Sequence, residues 1–266
     1  MLFRSGDGAN DAPALRAAEI GVAMGARGTD VARETAGLIL TDDHFASIVA
    51  GIEEGRVAYA NVRKVIYLVI STGAAEILIF FLAILASVPL PLLPVQLLWL
   101  NLVTNGIQDV ALAFEPKEGD VLSSRPRRPE EPIFDRVMVR RVAVSAVVMS
   151  VLAFGWFWWL LEGGASVEAA RNEVLLLMVL FENVQTGNSR SEVQSLLTLS
   201  PLRNKLLLGG TLLATLLHVT AMYVPFLADL LSAAPVPLSS WLTAAALAMV
   251  LLAVAEAEKA ARRRAR

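Results

Sequence analysis

The sequence predicts a mainly α-helical protein, in which a bundle of six transmembrane helices follows a small α/β unit. Its 266 residues are 56% hydrophobic and have a mean hydropathy of +0.59, well above the level of a soluble globular domain. The apolar residues are concentrated in runs of about 20, the length that crosses a bilayer as a helix. The region 1–43 contains no such run and has a different pattern.

In that first region, the short apolar segments IGVAM and GLILT alternate with the helical segments APALRAAE and TDVARETA, which is typical of an α/β unit. Gly6 and Gly8 flank Asp7 and allow a tight turn after a strand, and Asp11 is placed to cap the following helix. A carboxylate held at such a turn can bind Mg²⁺. Asp7 and Asp11 can equally be ordinary turn and cap residues, and their spacing leaves both interpretations open.

The rest of the chain is predicted to be a helical stalk followed by membrane spans. The stalk, residues 44–64, should continue unbroken into the first span because glycines are the only weak helix formers in its path. The transmembrane region is predicted to be residues 65–266. Its predicted spans are residues 65–88, 94–113, 137–161, 173–189, 204–224 and 239–257.

The distribution of Lys and Arg among the loops predicts the orientation. Basic residues cluster after the second span, after the fourth span and at the carboxyl terminus. The loops on the other side of the membrane contain a single Lys or Arg, Arg171. The clustered residues are Lys117, Arg125, Arg127, Arg128, Arg136, Arg140, Arg141, Arg190, Arg203, Lys205, Lys259, Arg262, Arg263, Arg264 and Arg266. We therefore expect a multi-pass protein of the plasma (inner) membrane, in contact with membrane lipid, with both termini cytoplasmic.

Composition excludes several classes of function. The net charge of −2, with basic residues in short clusters beside apolar spans, argues against nucleic acid as a partner. The sequence contains no cysteine, which excludes disulfides, thiolate metal ligands and thiol catalysis within it.

Polar side chains in the first two spans indicate a cation site. A carboxylate at mid-membrane costs about 3 kcal/mol or more, so Glu76 is tolerable only if it faces the bundle interior, a cation or a proton. The second span carries polar residues at spacings of four, which we expect to form one polar face: Asn101, Thr104, Asn105, Gln108 and Asp109. Gly106 should permit local unwinding and free backbone carbonyls as ligands. The alternative for the amides and Thr104 is interhelical hydrogen bonding.

The run SGDGANDAPALRAAEIGVAMG resembles the hinge region of P-type ATPases, whose pattern is T-G-D-G-x-N-D-A-P-A-L, then a helix and I-G-[IV]-A-M-G. The resemblance extends over essentially the whole chain, and around PVQLLWLNLVTNG it is greatest to the calcium-pump branch. It implies that residues 1–43 are part of a haloacid-dehalogenase-like phosphorylation domain. Asp7 would help to hold Mg²⁺, and Asn10 and Asp11 would support the phosphate site. Ser5 stands where the family usually has Thr.

The calcium-pump pattern also implies the ligands of the transported cation. It has N-x-x-E in the first of these spans, N-x-x-T-D in the second, and a Glu ahead of an N-x-x-N-S segment in the fourth. The matching residues here are Glu76, Asn101, Thr104 and Glu182. Gly73 replaces an Asn and Asn105 replaces an Asp, so one charge is lost, and Asp109 is placed one turn away to restore it. Three carboxylates with neutral oxygens favour a divalent hard cation, with Ca²⁺ first.

Two family motifs do not occur in these 266 residues, D-K-T-G-T with its phosphorylated Asp and T-G-E. The chain therefore resembles the carboxyl-terminal third of a pump, and we do not expect it to form an acyl-phosphate alone, which labelling with radioactive ATP would test. One interpretation is a transport module that works with a separately encoded amino-terminal pump half. The other is a non-catalytic, truncated pump fragment with a structural or regulatory role in the membrane.

Overall fold

The computed structural model describes residues 3–123, 126–127 and 131–265. The chain separates into two compact units. The first contains Met1–Ala58 with a short segment that begins at Asp120, and the second contains Tyr59–Gly119 and Pro126–Arg266. Three basic residues used to predict the orientation lie outside the described residues, namely Arg125, Arg128 and Arg266.

The first unit contains the predicted α/β arrangement. Its elements are β1 Phe3–Gly6, α1 Ala12–Ala17, β2 Ile20–Met24, α2 Asp30–Thr35 and β3 Leu38–Leu40. The three parallel strands pair in the order β1-β2-β3, and the short helices α1 and α2 connect them. Leu15, Ala23 and Ala32 form its small core. Its membership of a haloacid-dehalogenase-like domain remains a prediction.

The predicted continuous stalk helix is confirmed. Helix α3 runs for 41 residues, from Phe45 to Leu85, through the predicted stalk and most of the first predicted span. It ends three residues earlier than the predicted 88, just before a proline-rich hairpin in which Ser87 adopts a left-handed backbone conformation with φ of 55°.

The second unit is mainly helical. Its further helices are α4 Pro94–Trp99, α5 Gly106–Ala113, α6 Arg136–Glu162, α7 Val167–Ser189, α8 Lys205–Tyr223, α9 Pro225–Leu231 and α10 Leu238–Ala265. A π-helical segment, Leu100–Asn105, joins α4 to α5. The short helix α9 was not predicted.

Four helices in the described part of the chain are long and apolar enough to cross a membrane, namely α3, α6, α8 and α10. They fit a multi-pass membrane protein. The second predicted span is divided by the π-helical segment, and α7 is enriched in polar residues. It therefore remains a prediction that these two segments also cross the membrane and complete a bundle of six spans.

Helix α7 forms the centre of the second unit. Fourteen of its 23 residues are buried, and the consecutive residues 174–179 are at most 1% exposed. A helix that is buried on consecutive residues has neighbours on every side. Its apolar half packs in one cluster with residues of α3, α6 and α10.

Basic and acidic side chains hold one end of the second unit together. Arg63 donates to Asp135 Oδ2 at 2.9 Å and lies 3.1 Å from Glu192 Oε1. Arg141 approaches Glu192 to 4.0 Å, and Arg262 donates to the Glu192 carbonyl at 3.0 Å. We call these five residues the charged cluster. Burial raises the pKa of the Asp135 carboxyl, but hydrogen bonds from a backbone N–H and from Arg63 outweigh burial and hold that pKa below its usual value.

A second ion pair at this end is fully buried. Arg190 lies 3.0 Å from Glu115, and their side chains are 5% and 1% exposed. Asn204 donates to Glu115 Oε2 at 2.9 Å and to the Ala111 carbonyl at 3.1 Å. The pair therefore joins the chain just after α5 and α7 to the start of α8.

Replacing Glu115 with Ala should destabilise the second unit by about 3–5 kcal/mol, because Arg190 would remain buried without its counter-charge. Unfolding of the purified chain in detergent micelles measures this. The control is Arg140→Gln, since Arg140 is 63% exposed and lies 3.9 Å from Glu258, a contact worth at most about 1 kcal/mol. Equal stabilities of the two variants would contradict the assignment.

Candidate cation site

The predicted site residues of the second span lie between two helices, α3 and α7. Asn101 donates to Glu76 Oε2 at 2.8 Å and Asn105 donates to Thr72 Oγ1 at 3.1 Å, both on α3. The Thr104 hydroxyl instead contacts Glu182 Oε2 on α7. The span therefore packs between two helices, and adjacent rows of its polar side chains contact different partners.

Gln108 has the structural role that was the alternative for the amides. It donates to Asn183 Oδ1 at 2.6 Å and accepts from the Thr186 hydroxyl, so both ends of its side chain bind α7. It holds α5 against α7 and contributes no free oxygen.

The backbone of this span is irregular just before Gly106, the residue at which unwinding was predicted. Gly106 has helical angles, φ −56° and ψ −39°, and begins α5. The irregular stretch is the preceding π-helical segment, which carries Asn101, Thr104 and Asn105. The prediction of unwinding at Gly106 is therefore wrong. A π-helical turn inserts one residue without ending the helix, and such turns are frequent at functional sites.

Four of the predicted ligands keep a buried side-chain oxygen without a hydrogen-bond partner among the described residues. These atoms are Glu76 Oε1, Asn105 Oδ1, Asp109 Oδ1 and Glu182 Oε1. In three of the four residues the other polar atom of the same group is bonded. That bond fixes the side chain and leaves one acceptor available. Buried acceptors without donors are costly, and a bound cation would satisfy them.

The structure does not bring the three predicted carboxylates into one compact cluster. Within residues 3–123, 126–127 and 131–265, no three His, Cys, Asp or Glu side chains are arranged to hold a metal ion together. Glu182 is nevertheless close enough to Glu76 and Asp109 for their charges to interact with its own. A cation held here would therefore need neutral oxygens between the carboxylates.

Three polar residues near the site were not predicted. Thr72 accepts from Asn105, and Gln185 and Asn188 on α7 are fully buried. The signal that could have found the α7 residues is the run FENVQTGNS, which places three amide side chains within a predicted span.

The amino-terminal turn holds the predicted Mg²⁺ and phosphate residues. Asp11 Oδ2 accepts from the backbone N–H groups of Asp7 at 3.1 Å and Gly8 at 3.0 Å. Asp11 is the N-cap residue of α1, as predicted, but its carboxylate closes the preceding turn and makes no capping hydrogen bond to α1. A Cβ at Gly6 would lie 2.4 Å from that of Asp11, so the turn requires glycine there. The side chains of Asp7 and Asn10 are exposed at the same turn.

Replacing Gln108 with Leu should lower the stability of the second unit by about 1–2 kcal/mol, because Asn183 and Thr186 would lose their partner on α5. Titration of the purified chain, in detergent micelles, with a denaturing detergent measures the change in its free energy of unfolding. Asp109→Asn is the matched control on the same helix. It should leave stability unchanged or higher, because it removes a buried charge. A larger loss in Asp109→Asn than in Gln108→Leu would contradict both assignments.

Comparison with known proteins identifies the family. The family model described as the C-terminus of cation-transporting ATPases matches residues 89–261. The chain is 36% identical to the endoplasmic reticulum calcium ATPase srcA of Aspergillus fumigatus, over 99% of this chain and 30% of that protein. It is also 36% identical to a calcium-transporting ATPase of Bacillus subtilis, over 91% of this chain and 27% of that protein.

A probable cation-transporting ATPase F of Mycobacterium bovis is likewise 36% identical, over 96% of this chain and 28% of that protein. The chain spans less than a third of the length of each of these relatives. The family match and these similarities confirm the resemblance found in the sequence. The chain belongs to the P-type cation-transporting ATPases and corresponds to the carboxyl-terminal part of their calcium-pump-like members.

Proposed function

We propose that the second unit is the cation-transport module of a P-type ATPase and moves Ca²⁺ or another divalent cation across the membrane. The observation that carries the proposal is a set of four buried oxygens that have no hydrogen-bond partner in the described part of the chain, one each on Glu76, Asn105, Asp109 and Glu182. ATP hydrolysis would take place in domains outside this chain, in keeping with relatives more than three times its length. The amino-terminal part of the pump is then the required partner.

The chemistry of these oxygens supports a hard divalent cation. Carboxylate and amide oxygens are the ligands that Ca²⁺ prefers, and it takes six to eight of them at flexible distances. Glu76 and Glu182 supply charge from α3 and α7, and Asn101, Thr104 and Asn105 supply neutral oxygens from the segment between them. Asp109 supplies the charge that Asn105 lacks.

The turn at Asp7 is proposed to take part in the phosphorylation chemistry. Its residues fit Mg²⁺, because the exposed carboxylate of Asp7 is held on a turn that Asp11 closes with two backbone hydrogen bonds. Asp7 would hold the ion, and Asn10 and Asp11 would support the phosphate site. Bound Mg²⁺ neutralises the charge of a transferring phosphoryl group. Movement of the proposed phosphorylation domain would reach Glu76 through the continuous helix α3.

Binding of radioactive Ca²⁺ to the purified chain in lipid nanodiscs tests the proposal without the missing domains. Glu76→Gln and Glu182→Gln should each weaken binding at least about tenfold, the scale of losing even an outer-shell partner of a metal site. Glu168→Gln is the matched control, since this residue lies in the first turn of α7, away from the site. Asp109→Asn should also weaken binding, and adding Asn105→Asp should partly restore it.

Failure of the unmodified chain to bind Ca²⁺ or Mn²⁺ would contradict the proposal. Wild-type affinity in Asp109→Asn would contradict only the role of Asp109, and the site would then depend on Glu76 and Glu182.

The proposed orientation has both termini in the cytoplasm of a plasma (inner) membrane protein, with the charged cluster on the same side. Reporter proteins fused after Arg266 and after Gly164 test it. The fusion after Arg266 should be active only as a cytoplasmic reporter and the fusion after Gly164 only as an external one, because basic loops remain inside. The reverse pattern would show that the orientation is wrong.

A further inference from the structure

Two buried amide side chains hold one loop at the end of the second unit opposite the charged cluster. Gln96 of α4 is 0% exposed and Asn172 of α7 is 5% exposed. Gln96 Nε2 donates to the carbonyl of Leu231, the last residue of α9, at 2.9 Å. Asn172 Nδ2 donates to the Ala234 carbonyl at 2.6 Å, and its Oδ1 accepts from the Ala234 N–H at 3.2 Å. We call residues 225–234 the α9 clasp.

Backbone geometry within the α9 clasp keeps these two contacts in a fixed relation. Ser232 ends α9 in a left-handed conformation with φ of 49°, and the Ala233 N–H donates to the Ala228 carbonyl at 2.9 Å. The chain therefore turns sharply between Leu231, which is bonded to α4, and Ala234, which is bonded to α7. A displacement of the segment would break directional hydrogen bonds at both contacts. The α9 clasp thus joins α4 to α7.

Helix α4 leads directly to the proposed ligands. It ends at Trp99, which packs in one cluster with Leu231 of the α9 clasp, and the π-helical segment follows at once. The Leu97 carbonyl of α4 accepts from Asn101 Nδ2 at 3.0 Å, and the same nitrogen donates to Glu76 Oε2 at 2.8 Å. The position of α4 therefore fixes where the Asn101 amide lies.

Apolar packing alone does not explain Gln96 and Asn172. Burying an amide costs free energy that only its hydrogen bonds offset, and leucine would fill such a position without that cost. Both amides use their oxygen and their nitrogen on backbone groups, since Gln96 Oε1 also accepts from the Leu93 N–H at 2.8 Å. Apolar contacts are not directional, whereas these hydrogen bonds fix how α4 is placed along and around its axis.

We propose that Gln96 is a positioning residue of the cation site, which holds α4 in place relative to α7 through the α9 clasp and Asn172. Helix α7 carries Glu182, so the relation of α4 to α7 sets the spacing between Asn101 and that carboxylate. Among the described residues, neither Gln96 nor Asn172 hydrogen-bonds a proposed ligand, and both act through α4. The inference rests on the proposed function, because it takes Asn101 and Glu182 as ligands.

Equilibrium binding of radioactive Ca²⁺ to the purified chain in lipid nanodiscs tests the assignment, because it measures the affinity and the number of sites separately. Gln96→Met keeps most of the side-chain volume and removes both hydrogen bonds. It should raise the Kd about three- to tenfold and leave the number of sites per chain unchanged. A purely structural role would instead lower the number of sites and leave the Kd of the remaining sites unchanged.

Asn172→Leu should raise the Kd to a similar extent, although Asn172 lies on a different helix from Gln96. The control is Leu230→Ala, which alters a side chain of the α9 clasp that is 52% exposed and should keep the unmodified affinity. Gln96→Met combined with Asn172→Leu should bind no more weakly than the weaker single variant, because both substitutions release the same connection.

An unchanged Kd in both single variants, or losses of affinity that add in the double variant, would overturn the role of Gln96. These outcomes differ from failure of the proposed function, in which the unmodified chain itself binds neither Ca²⁺ nor Mn²⁺ and both proposals fall. If Gln96→Met does not fold, Asn172→Leu alone tests the connection, because it leaves the hydrogen bonds of Gln96 in place.

Discussion

The packing of the second unit depends on the burial of α7, a helix that is polar along half its length. The apolar half of α7 can pack against any hydrophobic neighbour, but its polar half cannot. Glu182, Asn183 and Thr186 contact Thr104, Gln108 and Thr215 on neighbouring helices. Hydrogen bonds have direction, and side chains inside a membrane find few alternative partners. These contacts therefore fix the positions of α5 and α8 relative to α7.

The same hydrogen bonds would prepare the proposed cation site. Glu76, Asn105 and Glu182 each use one polar atom to bond a neighbouring helix and retain a buried oxygen. A side chain held in this way loses little further freedom when it binds an ion, so affinity is gained by preorganisation. The hydrogen bonds between helices and the free acceptors are therefore parts of one arrangement.

The carboxylates of the proposed cation site and the carboxylates at the charged end of the bundle have different neighbours. The carboxylates of Glu115 and Glu192 lie beside arginines, which neutralise them. None of the ion pairs between described residues includes Glu76, Asp109 or Glu182. An arginine beside these carboxylates would repel an arriving cation. The separation of these carboxylates from arginines would therefore favour cation binding. It also costs free energy, because a carboxylate with low solvent exposure is unfavourable without a counter-charge.

The sequence by itself determined the family, the α/β start, the long helix α3 and the helical segments, because these follow from local motifs and from apolar runs that form helices wherever they lie. The resemblance also selected Glu76, Asn101, Thr104 and Glu182 as ligands, and in the structure Asn101 bonds Glu76 and Thr104 contacts Glu182. Only the tertiary structure decided how the second span divides its side chains between α3 and α7, that its backbone widens before Gly106, and that Gln108 is bonded at both ends. Each of these depends on which helices lie on either side of the span, and helical spacing within one segment carries no information about its neighbours.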